Sequence, residues 1–586
     1  MTTRTPCVLL AALALLVASA VSGGEPPVAA PAPPAPIDAL GEAIRERVDH
    51  LRYEMAHDHR DHAVRGERIV LGDIVARYFE AQQFRPQWRD PARLAQLVDA
   101  IIDLANDGLD PRDYHVEVLE AFRTELGAAT MLADGEQAAL ELLATDALML
   151  GLYHLYLGKV DPQKRSPQWN FASRPVSVER GFEAVTAALA SGRIQQTFEL
   201  ARPQHAWYQR GREWLKAYRA LAAAGGWPGI PDGPTIKPGM NDARVPVLRA
   251  RLQITQDLPT GAAAATPDAV PVAIPPVGHA ASAAAADHYG PELEAAVKRF
   301  QERHGLAADG AVGPGTRAAM NLPVERRIDQ LRINLERARW VLHEIKGEFV
   351  LVDIAGFDVS YFRDDQAIWT SKVIVGRPYR ETPIFKSLIT YVVLNPTWTI
   401  PPGILVKDKL PELRRNPGAL KRMNIRVLDR SGREVNPYSV NWNQYGPSRL
   451  PPYQFVQDPG PNNALGLVKI MFPNPYLVYL HDSPAKSLYE QDQRTFSSGC
   501  IRVQQPFELT ELVLNDPQWN RQKIDAVIAT KETRTVNLKT PVPVLLLYWT
   551  AQPRPDGQVI FRNDVYGRDP PTLAALDSDF RVPVVN

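Results

Sequence analysis

The chain has 586 residues, more than one hydrophobic core can accommodate, which predicts three or more domains. Hydrophobic residues make up 45% and charged residues 23%, as in ordinary soluble proteins. Lysine plus arginine and aspartate plus glutamate both number 66, so the formal net charge is zero, which argues against a nucleic-acid-binding protein.

The N-terminus has the pattern of an export signal. Arg4 provides a positive charge, residues 8–17 form an unbroken apolar run, and residues 18–20 (Ala-Ser-Ala) offer a small-x-small cleavage site. We therefore expect residues 1–22 to be a signal peptide. The apolar run is shorter than a typical membrane span, and an uncleaved membrane anchor is the alternative.

Cysteine usage indicates chemistry. The sequence has two cysteines, Cys7 inside the predicted signal peptide and Cys500. The mature protein would therefore carry one cysteine without a disulfide partner in an oxidising compartment. A lone exported thiol is a liability unless it reacts, so Cys500 is a candidate nucleophile.

Residues 23–37 form a Pro/Ala-rich linker, and residues 38–225 predict a helical scaffold domain. Apolar residues recur there at three- and four-residue spacing, while Asp, Pro and Gly separate the helices. The clearest predicted helices cover residues 69–82, 92–105 and 136–156. The scaffold sequence contains no catalytic constellation.

Four histidines lie close together near the start of this region: His50, His57, His59 and His62. They could bind a metal, since His57 and His62 fall near one helical face. However, the stretch is rich in Asp, Glu and Arg and lacks cysteine, which favours a solvated polar helix. We predict neither a metal site nor a cofactor.

Residues 236–322 predict a second, smaller helical module. Two short amphipathic helices precede a glycine turn at 309–316 (DGAVGPGT), where glycine allows backbone angles that other residues avoid and Thr316 can cap the next helix. The Ala/Pro-rich stretch 259–287 predicts a disordered insert. The DG-x-VG-x-x-T pattern resembles the small peptidoglycan-binding module of many cell-wall enzymes, and a structural spacer is the alternative.

Residues 323–347 predict one charged connecting helix, and a mainly β domain follows at 348–530. Its predicted strands cover residues 349–354, 367–375, 389–394 and 477–480. Residues 402–460 have few strand signals and many Pro, Arg and Asn residues, so we expect an inserted lid. Residues 531–586 form a C-terminal extension.

The residues that carry chemistry are His481 and Cys500. His481 follows an apolar run, so we expect it at a strand end facing a cleft. Cys500 follows Ser498 and Gly499 in a small-residue turn whose amide N–H groups could point at a developing oxyanion. A neighbouring imidazole can take the thiol proton and later return it to a leaving amine. Arg502 could stabilise the thiolate or bind a substrate carboxylate, or form a structural salt bridge instead.

The stretch 497–503 (SSGCIRV), with His481 upstream, strongly resembles the L,D-transpeptidase family. Three further segments are similar to family motifs in the same order: residues 375–383 (VGRPYRETP), 395–401 (NPTWTIP) and 463–466 (NALG). The helical scaffold, the small module and the C-terminal extension resemble the large Gram-negative branch of this family. The resemblance implies a multidomain α+β fold and a periplasmic location.

One position departs from the commoner family pattern, which has histidine before Gly-Cys. Ser498 stands there, as in the large branch, so His481 is the base that remains. The family orients this histidine through a backbone carbonyl, and we assign no catalytic role to the neighbouring Asp482 carboxylate. Tyr479, two residues before His481, could line the pocket or pack in the core.

The resemblance also implies the reaction. Cys500 would attack a tetrapeptide stem of peptidoglycan at the bond between the diamino acid and the terminal D-alanine, and D-alanine would leave a thioester behind. The amine of a neighbouring stem would then resolve the thioester as a 3→3 cross-link. Carbapenems are expected to acylate the same cysteine, Trp398 and Tyr379 are candidates for gripping substrate unless they are core residues, and other cell-wall synthesis proteins are candidate partners.

Three alternatives stay open. Water could resolve the acyl-enzyme, which would make the protein a hydrolase with the same site. The chain could be a non-catalytic cell-wall-binding scaffold, in which replacing Cys500 would have no effect. A zinc site at His481 and Cys500 lacks two further ligands at sensible spacing.

Overall fold

A computed structural model describes residues 37–57, 63–127, 131–171, 174, 177–259, 287–554 and 557–580. The predicted signal peptide, the linker up to residue 36, His59 and His62, and residues 260–286 of the predicted insert lie outside these residues. The described chain forms a helical scaffold, a small helical module and a mainly β domain, which confirms the predicted α+β architecture.

The scaffold surrounds the long helix α5, which is buried along most of its length. α5 is long and apolar enough to cross a membrane by composition, but 94% of its most apolar window is buried inside the protein, as expected for a central core helix. The described elements of the scaffold are α1 (Ala39–Ala56), β1 (Ala63–Val64), β2 (Glu67–Arg68), α2 (Gly72–Ala81), α3 (Pro91–Asp103), α4 (Val116–Gly127), α5 (Asp134–Leu157), α6 (Pro162–Arg165), α7 (Val178–Ser191), α8 (Ile194–Ala201) and α9 (Ala206–Ala223).

The start of α3 illustrates how the sequence sets these helices. Asp90 accepts a hydrogen bond from the Ala92 N–H at 2.9 Å, and Pro91 occupies the first helical position, where its missing N–H is not needed. Leu94, Leu97, Val98 and Ile101 then form one fully buried stripe. The predicted helix at 92–105 is therefore confirmed, with its ends shifted by one or two residues.

The small module contains three helices: α10 (Val245–Ile254), α11 (Pro291–Arg303) and α12 (Pro314–Met320). They enclose their own apolar core. The capping role expected for Thr316 is wrong, because α12 begins two residues earlier, after Gly313. The Thr316 hydroxyl instead donates to the Ala311 carbonyl at 3.2 Å and accepts from Gln301 at 3.1 Å, which ties the glycine turn to α11.

The connecting helix α13 (Val324–Val341) packs against α9 and leads into the β domain, whose core strands form one nine-stranded sheet. The strands of this domain are β3 (Phe349–Asp353), β4 (Asp358–Arg363), β5 (Gln366–Gly376), β6 (Phe385–Leu394), β7 (Trp398–Thr399), β8 (Ile425–Leu428), β9 (Gln454–Gln457), β10 (Val468–Met471), β11 (Leu480–His481), β12 (Thr495–Ser497), β13 (Ile501–Val503) and β14 (Arg534–Leu547). In the nine-stranded sheet their order is β12-β5-β13-β11-β10-β6-β14-β3-β4, and an additional β4–β5 pairing closes the sheet on itself.

Two predicted boundaries in this domain are wrong. The sheet does not end at residue 530, because β14 pairs antiparallel with β6 on one side and parallel with β3 on the other. The predicted strand at 477–480 is reduced to β11, because Leu477 adopts a left-handed backbone conformation with φ +57 and breaks the strand. β15 (Ala551–Pro553), β16 (Val559–Phe561) and α19 (Asp569–Leu576) follow β14 as an extension.

Residues 402–460, called the insertion from here on, fold around a separate apolar core. Strand β9 pairs with β8 on one side and with β7 on the other, in a three-stranded sheet outside the main one. Three short helices precede them: α14 (Pro402–Ile404), α15 (Leu410–Arg415) and α16 (Ala419–Arg422). Helices α17 (Pro506–Leu514) and α18 (Arg521–Ala529) contact the main sheet instead.

Candidate active site

The pairing of β11 with β13 brings the two predicted catalytic residues together. The strands run parallel, with Leu480 opposite Ile501 and His481 opposite Arg502. Cys500 immediately precedes β13, and the Ile501 N–H donates to the Tyr479 carbonyl at 3.1 Å. Because alternate residues share a face of a sheet, Cys500 comes to the same face as His481.

His481 is buried, and its side chain is held by the backbone. Nδ1 lies 2.5 Å from the Asp482 carbonyl oxygen, which can only accept, so the proton belongs on Nδ1 and the lone pair on Nε2. Burial, assisted by the positive charge of Arg502, lowers the pKa of His481 to about 3. The imidazole is therefore neutral at physiological pH and able to act as a base.

The Asp482 carboxylate contacts other partners. It accepts a hydrogen bond from the Leu467 N–H at 2.9 Å and an ion pair from Lys486 at 2.6 Å. These contacts fix the loop before β10 against the segment after β11. The carboxylate stabilises the position of its own backbone, while the carbonyl of the same residue contacts His481.

Cys500 is half-buried beside donors and cations. Its thiol lies 3.6 Å from the Leu477 carbonyl, to which it can donate. Burial raises the pKa of the Cys500 thiol, whereas hydrogen bonding from the Tyr479 backbone and hydroxyl and the charges of Lys469 and Arg502 act in the opposite direction. The resting site is therefore a neutral thiol with a set of groups that stabilise the thiolate once it forms.

Tyr479 packs against the core of the β domain and also lies beside His481 and Cys500. Its ring centroid lies 5.7 Å from that of His481 in an edge-on arrangement, and burial together with the neighbouring Cys500 raises the pKa of its hydroxyl. Lys469, opposite His481 on β10, has its ammonium 4.0 Å from the Tyr479 ring centroid. Sequence reasoning missed Lys469, because its place at the site depends on the register of β10 against β11.

Residues 497–500, called the nucleophile turn from here on, are stabilised by contacts with two hydroxyl groups. Gly499 has φ +114, and its N–H donates to the Ser497 hydroxyl oxygen at 3.1 Å, while that hydroxyl donates to the Cys500 carbonyl at 2.6 Å. The Thr382 hydroxyl donates to the Gly499 carbonyl at 2.9 Å. The expectation that the Gly499 amide faces an oxyanion is therefore wrong, because Ser497 occupies it. Gly499 instead provides a backbone conformation that residues with side chains rarely adopt.

Ser498 is exposed at the tip of this turn and connects it to the insertion. Its hydroxyl oxygen accepts from Arg380 at 2.7 Å, and Arg380 forms an ion pair with Asp408 at 2.8 Å. Asp408 lies in the insertion. Sequence reasoning missed this connection, because it joins three segments that are far apart in the chain.

Arg502 has no carboxylate partner among the residues that the structure describes, so the salt-bridge interpretation is wrong for this part of the chain. Its Nε atom is buried without a hydrogen-bond partner. Burial lowers the pKa of Arg502, and the nearby Arg377 has the same effect, while Tyr489 and Cys500 favour the charged form. A half-buried cation with an unused buried donor next to Cys500 is suited to an anionic ligand group.

The two remaining candidates differ. Tyr379 is 69% exposed, and its hydroxyl oxygen accepts from Arg377 at 3.0 Å, so it is a surface residue and not a core residue. Trp398 packs against the apolar core of the insertion and is part of β7, which supports its core interpretation. Within the described ranges, no group of three or more His, Cys, Asp or Glu side chains could hold a metal ion.

The fold brings a cysteine and a histidine together at two adjacent parallel strands of a mainly β domain. Residues 347–544 match the YkuD family model, described as the L,D-transpeptidase catalytic domain. Residues 73–215 match a model described as "Scaffold domain", and residues 277–320 match one described as "Putative peptidoglycan binding domain". The chain therefore contains an L,D-transpeptidase catalytic domain of the YkuD family with a scaffold and a peptidoglycan-binding domain, which confirms the resemblance.

A curated relative from Haemophilus influenzae, named "Putative L,D-transpeptidase", is 33% identical over 240 residues. The match covers 41% of this chain and 48% of the relative, so the chain spans about half the length of that protein. A crystal structure of an L,D-transpeptidase (residues 123–326) from Xylanimonas cellulosilytica covers 54% of this chain and 99% of its own, at 14% identity and a TM-score of 0.16.

Proposed function

We propose that this protein is a periplasmic peptidoglycan L,D-transpeptidase that forms 3→3 cross-links through a thioester on Cys500. The observation that carries the proposal is the 2.5 Å contact between Nδ1 of the buried His481 and the Asp482 carbonyl, on the strand beside Cys500. Because a carbonyl can only accept, this contact favours the tautomer with its proton on Nδ1. A neutral imidazole with a free Nε2 is the form that a general base requires.

In the first step, Nε2 of His481 takes the thiol proton while the sulfur forms a bond to the carbonyl carbon of the L,D-peptide bond. The negative charge that develops on the carbonyl oxygen needs donors nearby. The Cys500 amide has no acceptor among the described residues and is suited to this role. Collapse of the adduct breaks the C–N bond, and His481 returns the proton to the nitrogen of the departing D-alanine.

In the second step, the amine of a diamino acid on another stem attacks the thioester carbonyl. Its excess proton goes to Nε2 of His481, the C–S bond breaks, and the thiol is restored. Arg502 and Lys469 lie near the sulfur without carboxylate partners in the described structure, which favours a substrate that carries carboxylates, as peptidoglycan stems do.

The proposal is tested by incubating purified protein with a carbapenem and measuring its intact mass. We expect one covalent adduct on the wild type and none on Cys500→Ala. A folded wild type that forms no adduct would contradict the proposal and favour the non-catalytic scaffold. With tetrapeptide muropeptides as substrate, we expect cross-linked dimers, whereas tripeptide monomers alone would identify the hydrolase.

A further inference from the structure

The insertion carries a strong excess of positive charge in a chain whose formal net charge is zero. Residues 402–460 contain ten lysines and arginines against five aspartates and glutamates. Four of the five acidic residues already form ion pairs, namely Asp408 with Arg380, Glu412 with Lys409, Asp429 with Arg433, and Asp458 with Arg426. The internal ion pairs therefore leave most of the positive charge of the insertion uncompensated.

Seven cations of the insertion are exposed and have no ion pair among the described residues. They form what we call the basic surface: Lys407, Arg414, Arg415, Lys421, Arg422, Arg430 and Arg449. Two of them share one tyrosine, since Arg414 donates to the Tyr445 carbonyl at 2.5 Å and the Arg449 guanidinium lies 5.6 Å from the Tyr445 ring centroid. Arg414 and Arg449 therefore both contact Tyr445, and neither has an ion-pair partner among the described residues, which suits an anionic partner.

The insertion is also connected to the nucleophile turn. Asp408 holds Arg380, and Arg380 donates to Ser498, two residues before Cys500. A polymer bound to the insertion would therefore lie next to the site where its stem peptides react. Peptidoglycan has the matching chemistry, because an uncross-linked tetrapeptide stem carries more carboxylates than amines.

We propose that the basic surface of the insertion binds the anionic stem peptides of a peptidoglycan strand and thereby holds the polymer beside Cys500. This inference rests on the proposed function for the identity of the polymer. It adds a binding surface outside the catalytic pocket and commits to the carboxylates of the strand as the groups that are recognised. Attraction between exposed charges is screened by salt, so the binding weakens as ionic strength rises.

The test measures binding of the full chain to purified peptidoglycan sacculi by co-sedimentation, with every variant in the Cys500→Ala background. Lys421, Arg422 and Arg430 are exposed, and their side chains form no hydrogen bond, ion pair or ring contact among the described residues, so replacing all three with glutamine removes charge without removing such a contact. We expect affinity to fall on the order of tenfold at low salt, as for three modest surface interactions lost together.

A matched control removes three exposed, unpaired cations from the scaffold: Arg68→Gln, Lys164→Gln and Lys216→Gln. We expect this control to bind sacculi as the parent does. A second variant, with Arg414, Arg415 and Arg449 replaced by glutamine, should lose affinity to a similar extent, and a thermal melt checks that it is folded. Equal affinity of the parent and both insertion variants would overturn the proposal.

Two further probes identify the ligand group. Sacculi whose carboxylates have been amidated with a carbodiimide should bind the parent about as weakly as native sacculi bind the insertion variants. Undiminished binding to amidated sacculi would overturn the proposal, as would tighter binding to phosphatidylglycerol vesicles than to sacculi, which would make the basic surface a membrane contact. All binding is measured without the Cys500 thiol, so a failure here is distinct from a failure to form the acyl-enzyme.

Discussion

The carbonyl oxygen of Asp482 lies 2.5 Å from Nδ1 of His481, so the imidazole proposed as the general base is oriented by the backbone of the very next residue. The carboxylate of Asp482 is engaged with Leu467 and Lys486 instead. Side-chain and backbone effects at this position can therefore be separated by mutation, because a substitution leaves the carbonyl in place.

We expect His481→Asn to reduce the rate of carbapenem acylation at least about a hundredfold, the usual contribution of a general base. Asp482→Asn should instead act mainly on stability, destabilising the protein by about 1–3 kcal/mol, because it weakens a buried charged acceptor. Acylation followed by mass, together with a denaturant melt, measures both. A loss of acylation in Asp482→Asn as large as that in His481→Asn would mean that the carboxylate takes part directly.

The pH dependence should reflect the buried imidazole. The pKa of His481 is about 3, so its base form is present throughout the physiological range and is lost only as the pH falls toward that value. An exposed histidine would titrate near its ordinary pKa of about 6.5. We expect the acylation rate, measured from pH 5 to 8, to show no inflection near 6.5. An inflection there would indicate a hydrated imidazole.

The same pKa shift affects stability, with a definite sign. At pH values between the folded pKa and the unfolded pKa of about 6.5, His481 binds a proton in the unfolded chain but not in the folded protein, where it is buried. The contribution of this residue to folding is therefore full above the unfolded pKa and is lost progressively as the pH falls through this interval. His481→Asn should make the melting temperature less sensitive to acid, which a series of melts would detect.

Gly499 offers a test of the nucleophile turn. A Cβ at this position would lie 3.6 Å from the Glu381 carbonyl oxygen, which is an ordinary contact distance. The obstacle to alanine is the backbone, because φ is +114 and residues with side chains rarely adopt that conformation. We expect Gly499→Ala to cost about 1–3 kcal/mol of stability or to flatten the turn and reduce acylation. Gly403→Ala in the insertion is the control, because nothing lies within 4 Å of its added Cβ and its φ is not positive. Equal effects of the two changes would contradict the interpretation that backbone strain at Gly499 causes the loss.

The local parts of this site could be predicted from the sequence. Cys500, Ser498 and Gly499 are consecutive, and the run before His481 is apolar enough to indicate a strand, so the order of residues alone assigns them. The scaffold helices were predictable for the same reason, since three- and four-residue spacing is a short-range signal. Their ends differed by a few residues, as helix ends usually do.

Features that depend on strand register or on pairing between distant segments could not be predicted. Lys469 reaches the site only because β10 pairs with β11 in a register that puts it opposite His481. β14 was assigned to an extension because its neighbours in the sheet, β6 and β3, are far away in the chain. The capture of the Gly499 amide by Ser497 depends on φ at glycine, which can take either sign.

Substitutions of Arg502 test whether its guanidinium binds a substrate carboxylate. Arg502→Gln removes the charge and should raise KM for tetrapeptide stems about tenfold or more while affecting kcat less, because the contact is made in both the ground and transition states. Arg502→Lys keeps the charge but loses the planar fork and should recover only part of the affinity. A fall in kcat with unchanged KM would instead assign Arg502 to the thiolate.

The chain of contacts from Asp408 through Arg380 to Ser498 predicts coupling between the insertion and the nucleophile. Arg380→Gln, Asp408→Asn and the double variant form a mutant cycle, read out as the rate of Cys500 acylation by a carbapenem. We expect each single change to slow acylation and the double change to cost less than their sum, with a coupling energy of about 0.5–1 kcal/mol. Ser498→Ala should repeat part of the Arg380→Gln effect, because it removes the last contact of the chain. Strictly additive effects would mean that the insertion and the turn respond to Arg380 separately, and that the ion pair only anchors the insertion.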